Sequence, residues 1–196
     1  MATMPKSTNL YRFKRIPLGR PWCEAIVLQD GRKLIARPIQ PLDADMLQRS
    51  FGDLTPEEIR FRFLHPITEL TSAHAHELTH VNRIRSFALV VVEALPPDEA
   101  RIGAVARTVL KKKKKESEFA IIVGREIGGY GLGAYLITRI AEWSRKKGMR
   151  TLYGDVMIEN QRMLHLARRL GFRLENHPVE SQIVRIWRPL RKDRYS

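Results

Sequence analysis

The spacing of apolar and polar positions changes along the chain, and each change predicts a different element. The segments CEAIVLQ and RKLIARPI flank Asp30 and Gly31, a pair typical of two-residue hairpin turns, so a hairpin is predicted here. Three short helices are predicted next: one over residues 41–50, one from Thr55 and one from Thr71. The second has the clearest start, because Thr55, Pro56 and Glu58 form an N-cap, a first helical proline and a capping box.

The second half of the chain predicts a mixed sheet. SFALVVVEAL, RIGAVARTVL and EFAIIV are apolar runs of strand length, and they predict an antiparallel meander. A Gly-rich turn at 128–133 then opens a long helix, followed by the strand TLYGDVMI, the helix NQRMLHLARRL and the strands FRLEN and QIVRIW. Alternation of strands and helices is typical of parallel pairing, so the predicted fold class is α/β, or α+β with a mixed sheet.

Length and composition predict one globular domain. The chain has 196 residues, 43% hydrophobic and 29% charged, which excludes collagen-like and wholly disordered classes. We assign residues 23–190 to the domain, 1–22 to a basic N-terminal arm and 191–196 to a basic tail. The lone Cys23 argues against disulfides and a multi-cysteine zinc site. Neither a membrane-spanning run nor a signal peptide is evident, so we expect a cytoplasmic protein without membrane partners.

The formal net charge of +14 raises the question of a polyanionic partner. Residues 1–33 carry seven basic and two acidic side chains, and residues 185–196 carry five and one. Between these two ends, the run Lys111 to Lys115 accounts for the excess of basic over acidic side chains. Basic ends and one basic loop do not make a nucleic-acid groove, so nucleic acid is disfavoured and a solvated surface is the simpler interpretation.

The Gly-rich turn between EFAIIV and the long helix is the main candidate for ligand chemistry. Glycines let successive backbone N–H groups point inward, and the helix start adds partial positive charge, so the turn suits a diphosphate. Tight packing is the structural alternative. The turn lacks the Gly-Lys-Ser/Thr ending of a P-loop, and it follows a meander instead of the first strand of a dinucleotide fold.

These residues resemble the GNAT superfamily of acyl-CoA-dependent N-acyltransferases over about residues 33–176. The resemblance rests on the glycine turn and on the segment ENQRMLHLARRLGF, with Asn160 at its start and Gly171-Phe172 at its end. RPIQPLDADML and LTPEEIRFRFL are similar to the acetyltransferase domain of bacterial protein lysine acetyltransferases. The resemblance implies a mixed, mostly antiparallel sheet of about six to seven strands, flanked by helices, with one parallel pair around the acyl-CoA site.

The resemblance also implies the acyl-CoA contacts. The diphosphate is expected on the turn, the pantetheine between EFAIIV and TLYGDVMI, and Asn160 on the pantetheine arm. Where the family usually has Arg or Gln, this chain has Gly128, and nearby Arg125 is a substitute. No metal site is expected, since only His76 and His80 share a helix face. The implied acyl-CoA residues are Ile121, Ile122, Val123, Arg125, Gly128, Gly129, Tyr130, Gly131, Leu132, Gly133, Ala134 and Asn160.

The resemblance makes Glu118 the candidate general base. It begins an apolar strand expected to be buried, and burial would raise its pKa toward a useful range. The alternative is a strand-edge glutamate paired with the lysine run, and Glu93 and Asp155 are reserve candidates. The family's usual general acid, a tyrosine, is replaced by Ala167, and neither Tyr153 nor His165 can be assigned that role from the sequence.

The function implied is transfer of an acetyl group from acetyl-CoA, a cosubstrate, to a primary amine, foremost a protein lysine. Acetyl-CoA and an acceptor protein or small amine are therefore the expected partners. A small-molecule amine acetyltransferase, a non-catalytic acyl-CoA-binding regulatory module and a basic nucleic-acid binder remain alternatives. The oligomeric state is not determined by these residues.

Overall fold

A single nine-stranded sheet organises the computed structural model, which describes residues 10–190. Its strand order is β1-β2-β3-β4-β5-β6-β7-β9-β8. The strands are β1 (Phe13–Pro17), β2 (Glu24–Leu28), β3 (Lys33–Pro38), β4 (Ser86–Glu93), β5 (Ile102–Lys111), β6 (Glu116–Val123), β7 (Thr151–Met157), β8 (Arg173–Asn176) and β9 (Ile183–Pro189). The α-helices are α1 (Ala44–Gly52), α2 (Pro56–Phe63), α3 (Ser72–Thr79), α4 (Leu132–Lys146) and α5 (Gln161–Arg169).

The predicted fold class is confirmed. The sheet is antiparallel except for the pair β6 and β7, and the described residues form more strands than the six to seven expected. The prediction of a separate arm over 1–22 is wrong for Phe13–Pro17, because β1 pairs with β2 along its whole length. Its side chains are mostly exposed, so backbone hydrogen bonds place it at the sheet edge without an apolar pattern. Residues 1–9 and the predicted tail 191–196 lie outside the described residues.

The two faces of the sheet carry different helices. Along β4, Phe87, Leu89 and Val91 pack in one core with α4 and α5, because alternate strand residues point to opposite faces. The intervening Ala88, Val90 and Val92 pack in a second core on the other face, together with Met46 of α1. This second face, beneath α1 to α3, is called the acceptor face below. None of the described helices is long and apolar enough to cross a membrane, and the cytoplasmic location stays a prediction.

Helix α2 begins as the sequence predicts. The Thr55 hydroxyl accepts a hydrogen bond from the Glu58 N–H, and the Glu58 carboxylate accepts one from the Thr55 N–H at 2.8 Å. These contacts satisfy two of the N–H groups that have no partner within the helix. The capping box therefore fixes where α2 starts below the sheet.

Three buried hydroxyl groups join the sheet to α4. Ser117 on β6 hydrogen bonds to Thr108 on β5 at 2.7 Å and to Ser144 on α4 at 2.8 Å. The Thr108 hydroxyl also bonds to the Glu118 carbonyl at 2.9 Å. All three side chains are fully excluded from solvent, so losing any one would leave a buried hydroxyl without its partner. The network holds the start of β6 against both neighbours.

The parallel pair is short. Ladder pairing between β6 and β7 covers Glu116 to Glu118 and stops there, whereas β5 pairs with β6 as far as Val123. Gly154 lies at this branch point, and a Cβ added to it would be 2.9 Å from the Phe119 carbonyl oxygen. The close approach at Phe119 therefore requires glycine, and beyond it the strands separate.

Replacing Gly154 with alanine should destabilise the fold by about 1–3 kcal/mol, because the added methyl group must displace the backbone or ring of Phe119. The measurement is urea unfolding at equilibrium. Gly52→Ala is the matched control, since nothing lies within 4 Å of its added Cβ. Equal midpoints for the two variants would show that the strand approach tolerates a side chain.

Candidate active site

A gap between β6 and β7 opens where their pairing ends. One edge of the β6 stretch from Phe119 to Val123 bonds to β5, and alternate backbone groups of the other edge face the gap instead of a strand. A small cavity of about 50 Å³ lies in the gap, next to Ile121, Asp155 and Asn160. The expected pairing groups of Ile121, Ile122 and Val123 thus lie on a strand edge that a ligand can reach.

The predicted Gly-rich turn follows β6 and leads directly into α4. Gly129 and Gly131 have φ angles of 81° and 91°, a left-handed conformation that favours glycine. Leu132 and Ala134 point into the core, so only their backbone groups face the turn. The N–H groups of the first helical turn lack partners within the helix, and the helix dipole favours negative charge there. The turn can therefore bind an anion through its backbone.

Two glycines of the turn also meet packing requirements, the alternative that the sequence left open. A Cβ at Gly131 would lie 2.1 Å from the Leu10 carbonyl oxygen, because the segment before β1 crosses the turn. A Cβ at Gly133 would lie 3.0 Å from the Leu166 side chain of α5. A bulky residue at Gly131 would displace the crossing segment, so it would not report on anion binding alone.

Distant segments hold the turn in place. The Arg12 N–H donates to the Tyr130 carbonyl oxygen at 2.8 Å, and the Tyr130 hydroxyl donates to Asp30 at 2.7 Å in the first hairpin turn. Arg32 pairs with the same carboxylate at 2.7 Å. The pKa of Asp30 is lowered well below its ordinary range, mainly by the hydrogen bond from Arg32 and next by the one from Tyr130. Tyr130 is thus anchored to the β2–β3 hairpin.

Arg125 lies just before the glycines, in a short 3₁₀ turn. Its N–H donates to Glu58 at 3.2 Å, which links the turn to the start of α2. Its side chain is 61% exposed and pairs with Glu126 at 3.6 Å. The guanidinium is therefore at the surface beside the turn, and Gly128 adds no side chain of its own.

Asn160 is the N-cap of α5. Its side-chain oxygen accepts a hydrogen bond from the Met163 N–H at 3.0 Å. The capping bond uses the carbonyl oxygen and leaves the amide N–H groups for another partner. Because Asn160 also borders the gap, those donors lie beside the position expected for a pantetheine.

Glu118 lies at the closed end of the gap, directly opposite Tyr153 in the parallel register. Its carboxylate accepts a hydrogen bond from the Tyr153 hydroxyl at 3.1 Å and pairs with Lys111 at 3.1 Å. The expectation that it is buried is wrong, since its side chain is 43% exposed. Val109, its partner on β5, is also exposed, because α1 to α3 leave this end of the acceptor face uncovered.

Neighbouring polar groups on β7 and β9 are already paired. Arg185 binds Asp155 through two hydrogen bonds of 2.8 and 2.9 Å, and His177 lies 3.5 Å from the same carboxylate. Burial, together with the Glu118 carboxylate, raises the pKa of Tyr153. Tyr153 therefore stays protonated at neutral pH and donates its hydrogen bond to Glu118.

The other sequence candidates lie elsewhere or are already engaged. Glu93 ends β4 and accepts a hydrogen bond from the Arg101 N–H at 3.0 Å. Ala167 is fully buried, and His165 is exposed on α5. Residues 10–190 contain no group of three or more His, Cys, Asp or Glu side chains placed to hold a metal ion. Among the predicted features, three therefore adjoin one another: Glu118, the gap and the glycine turn.

Comparison with known proteins agrees with this architecture. The model of the acetyltransferase (GNAT) domain family matches residues 33–173. An acetyltransferase of Pseudomonas aeruginosa is 27% identical over 166 residues, covering 85% of this chain and 88% of that protein.

Solved structures show the same fold. The GNAT domain of PAT from S. lividans superposes with a TM-score of 0.75 at 22% identity, covering 88% of this chain and 99% of the other. The spermidine N-acetyltransferase of Vibrio cholerae, solved with CoA and spermine, gives a TM-score of 0.64 at 21% identity, covering 80% and 95%. With its glycine turn, its parted parallel strands and its match to the domain family, this chain belongs to the GNAT acetyltransferases and is an acetyl-CoA-dependent N-acyltransferase.

Proposed function

We propose that the protein transfers the acetyl group of acetyl-CoA to a primary amine of a protein lysine, by direct attack within a ternary complex. The observation that carries the proposal is the position of Glu118, a carboxylate at the point where β6 and β7 part. A thioester lying in the gap would have this carboxylate beside it, on a face open to solvent.

Acetyl-CoA binding is proposed along the gap and the turn. The diphosphate would accept hydrogen bonds from the N–H groups of Gly129 to Gly133, with Arg125 supplying a cation nearby. The pantetheine would pair with the free edge of Ile121 to Val123, as an added strand does. The Asn160 amide would bond to the pantetheine arm. These contacts would direct the acyl group toward the closed end of the gap.

The chemistry requires the removal of two protons from the nitrogen, one before it attacks and one as the amide forms. A lysine amine has an ordinary pKa of about 10.4, so at neutral pH it arrives mostly as an ammonium ion that cannot attack. Glu118 would accept the first proton, after which the nitrogen forms the new C–N bond. The nitrogen then loses its second proton to solvent as the thioester C–S bond breaks. Tyr153 and Lys111 would orient the Glu118 carboxylate. A CoA thiolate, with an ordinary thiol pKa of about 8.5, can leave and take a proton from solvent.

The acceptor is proposed from the exposure of Glu118 and the charge around it. Glu118 is accessible, and the lysine run of the β5–β6 turn lies next to it through the Lys111 pair. An extended lysine side chain can reach this carboxylate while its protein stays outside. A thiol-release assay with acetyl-CoA against proteins and small amines tests the function. Release with small amines alone would favour the small-molecule alternative, and none with any acceptor would favour a binding module.

Gly128→Arg should tighten acetyl-CoA binding about tenfold, because it restores a cation beside the diphosphate. Gly128 has φ −68°, which any residue adopts, although its Cβ would lie 3.2 Å from the Arg125 carbonyl oxygen. Calorimetric titration with CoA is the measurement. Gly128→Glu is the matched control and should weaken binding. Equal affinities for both variants would mean that the diphosphate binds elsewhere.

Glu118→Gln should lower turnover by about 10²- to 10⁴-fold at neutral pH, the usual range for a positioned general base, while CoA affinity is unchanged. The measurement is steady-state thiol release between about pH 6 and 9. Glu175→Gln, at an exposed position on β8, controls for the loss of one carboxylate. Wild-type turnover in the Glu118 variant would transfer the role to Asp155, Glu93 or solvent.

Replacing Lys112, Lys113 and Lys114 with glutamine should lower kcat/KM for an acidic protein acceptor about threefold to tenfold at low ionic strength. All three are exposed, so high salt should remove most of the difference by screening. Lys111 is kept because it pairs with Glu118. The measurement is kcat/KM against salt for an acidic protein and for a neutral amine. If kcat/KM depends on salt in the same way for the wild type and the variant, the lysine run is only a solvated turn.

A further inference from the structure

A cavity under the helices of the acceptor face combines apolar walls with two positive charges. It encloses about 60 Å³ between α1, α2, α3 and strands β4 to β6. Apart from Ser50, Arg62 of α2 and Arg107 of β5, its lining is apolar side chains and backbone, including Leu47, Phe51, Phe63 and Ile122. Guanidinium groups are rare in such surroundings unless they are paired.

Within residues 10–190, neither guanidinium has a carboxylate or hydrogen-bond partner. Arg62 stacks over the Phe63 ring at 4.9 Å, and neither it nor Arg107 makes a hydrogen bond or ion pair there. Glu77 on α3 attracts Arg107, but the two do not approach within ion-pair distance. Asp155, which lies in the strand gap near Arg62, is already held by two hydrogen bonds from Arg185.

Burial disfavours the charged form of both arginines. Burial, and after it the like charge of Arg107, lowers the pKa of the Arg62 guanidinium to about 10. Burial also lowers the pKa of Arg107. Both groups therefore remain charged at neutral pH while half-buried beside apolar walls, and an anion between them would offset the desolvation of each.

The two arginines lie beside the reaction centre. Arg107 is opposite Ala120 in the antiparallel register, and Val109 is opposite Glu118. Ala120 and Glu118 point to the same face of β6, so Arg107 is a diagonal neighbour of the candidate base. Arg62 borders both this cavity and the gap between β6 and β7. A group extending from the thioester position toward the cavity would reach Arg62 first.

We propose that Arg62 and Arg107 bind a carboxylate of the substrate, carried by a short carboxyacyl chain on CoA or by the acceptor amine. This rests on the proposed function, because it assumes that the thioester lies in the gap. The acyl chain is the favoured source, since Arg62 borders both spaces. The reaction is unchanged: the amine nitrogen displaces the CoA thiolate, its first proton goes to Glu118 and its second to solvent, and the carboxylate stays bound without reacting. Polycationic amines would be repelled.

The test compares matched substrates with the full chain. Acetyl-CoA and succinyl-CoA are compared as donors by calorimetric affinity and by kcat/KM with one amine. With acetyl-CoA as donor, 4-aminobutanoate and its amide are compared as acceptors. The variants are Arg62→Gln and Arg107→Gln, and Arg83→Gln, at an exposed position, is the control. We expect the protein to prefer one carboxylate substrate over its uncharged counterpart. Both arginine variants should lose about 10- to 100-fold of this preference, whereas the control should keep it.

The arms separate the possible outcomes. Selectivity among donors assigns the carboxylate to the acyl chain, and selectivity among acceptors assigns it to the amine. Either supports the proposal when both arginine variants abolish it. Binding of acetyl-CoA without any carboxylate preference overturns the inference and leaves the proposed function standing. Failure to bind any CoA thioester overturns both.

Thermal unfolding of the ligand-free variants separates ligand binding from a structural role. Removing one of two like charges without partners should leave the melting temperature of Arg107→Gln equal to or above that of the wild type. A structural role would lower it. A clear loss of stability in this variant would contradict the argument that the pair lacks a partner in the free protein.

Discussion

The site depends on one departure from regular sheet geometry, the parting of β6 and β7 beyond Glu118 and Tyr153. A fully paired parallel ladder would satisfy the backbone groups of both strands and leave none for a ligand. The hydrogen bond between Ser117 and Ser144 holds the start of β6 against α4, while a glycine at 154 lets β7 approach Phe119. The gap therefore opens from a fixed point. The glycine turn at the far end of β6 is consequently held at a defined distance from the Glu118 carboxylate.

Segments far apart in sequence position the glycine turn. The stretch before β1 crosses it, the first hairpin anchors Tyr130 through Asp30, and Glu58 of the α2 capping box bonds to Arg125. A loop that binds an anion through its backbone loses affinity if its N–H groups must be ordered on binding. Contacts from three elements order the turn beforehand, so the capping box and hairpin serve the site as well as their own local structure.

Charged groups on the acceptor face divide into two kinds. Asp155 with Arg185, and Glu118 with Lys111, are paired within ordinary hydrogen-bond or ion-pair distance. Arg62 and Arg107 are not, although both line a cavity with mostly apolar walls. Such a local conflict with stability is expected where residues act on a ligand, because the bound ligand then completes the set of contacts. This contrast supports the proposed carboxylate role and separates it from the structural ion pairs nearby.

The sequence by itself determined the elements and the family. Alternating apolar runs predicted β4 to β6, the capping residues Thr55 and Glu58 predicted the start of α2, and the spaced glycines predicted the turn before α4. These signals are local, so they need no knowledge of the fold. Strand β1 escaped prediction because most of its side chains are exposed and it lacks an alternating apolar pattern, although Phe13 packs against the core. The exposure of Glu118, the segment crossing Gly131 and the meeting of Arg62 with Arg107 were decided by tertiary structure alone. Each depends on which distant surfaces cover which face of the sheet, and no spacing along the chain encodes that.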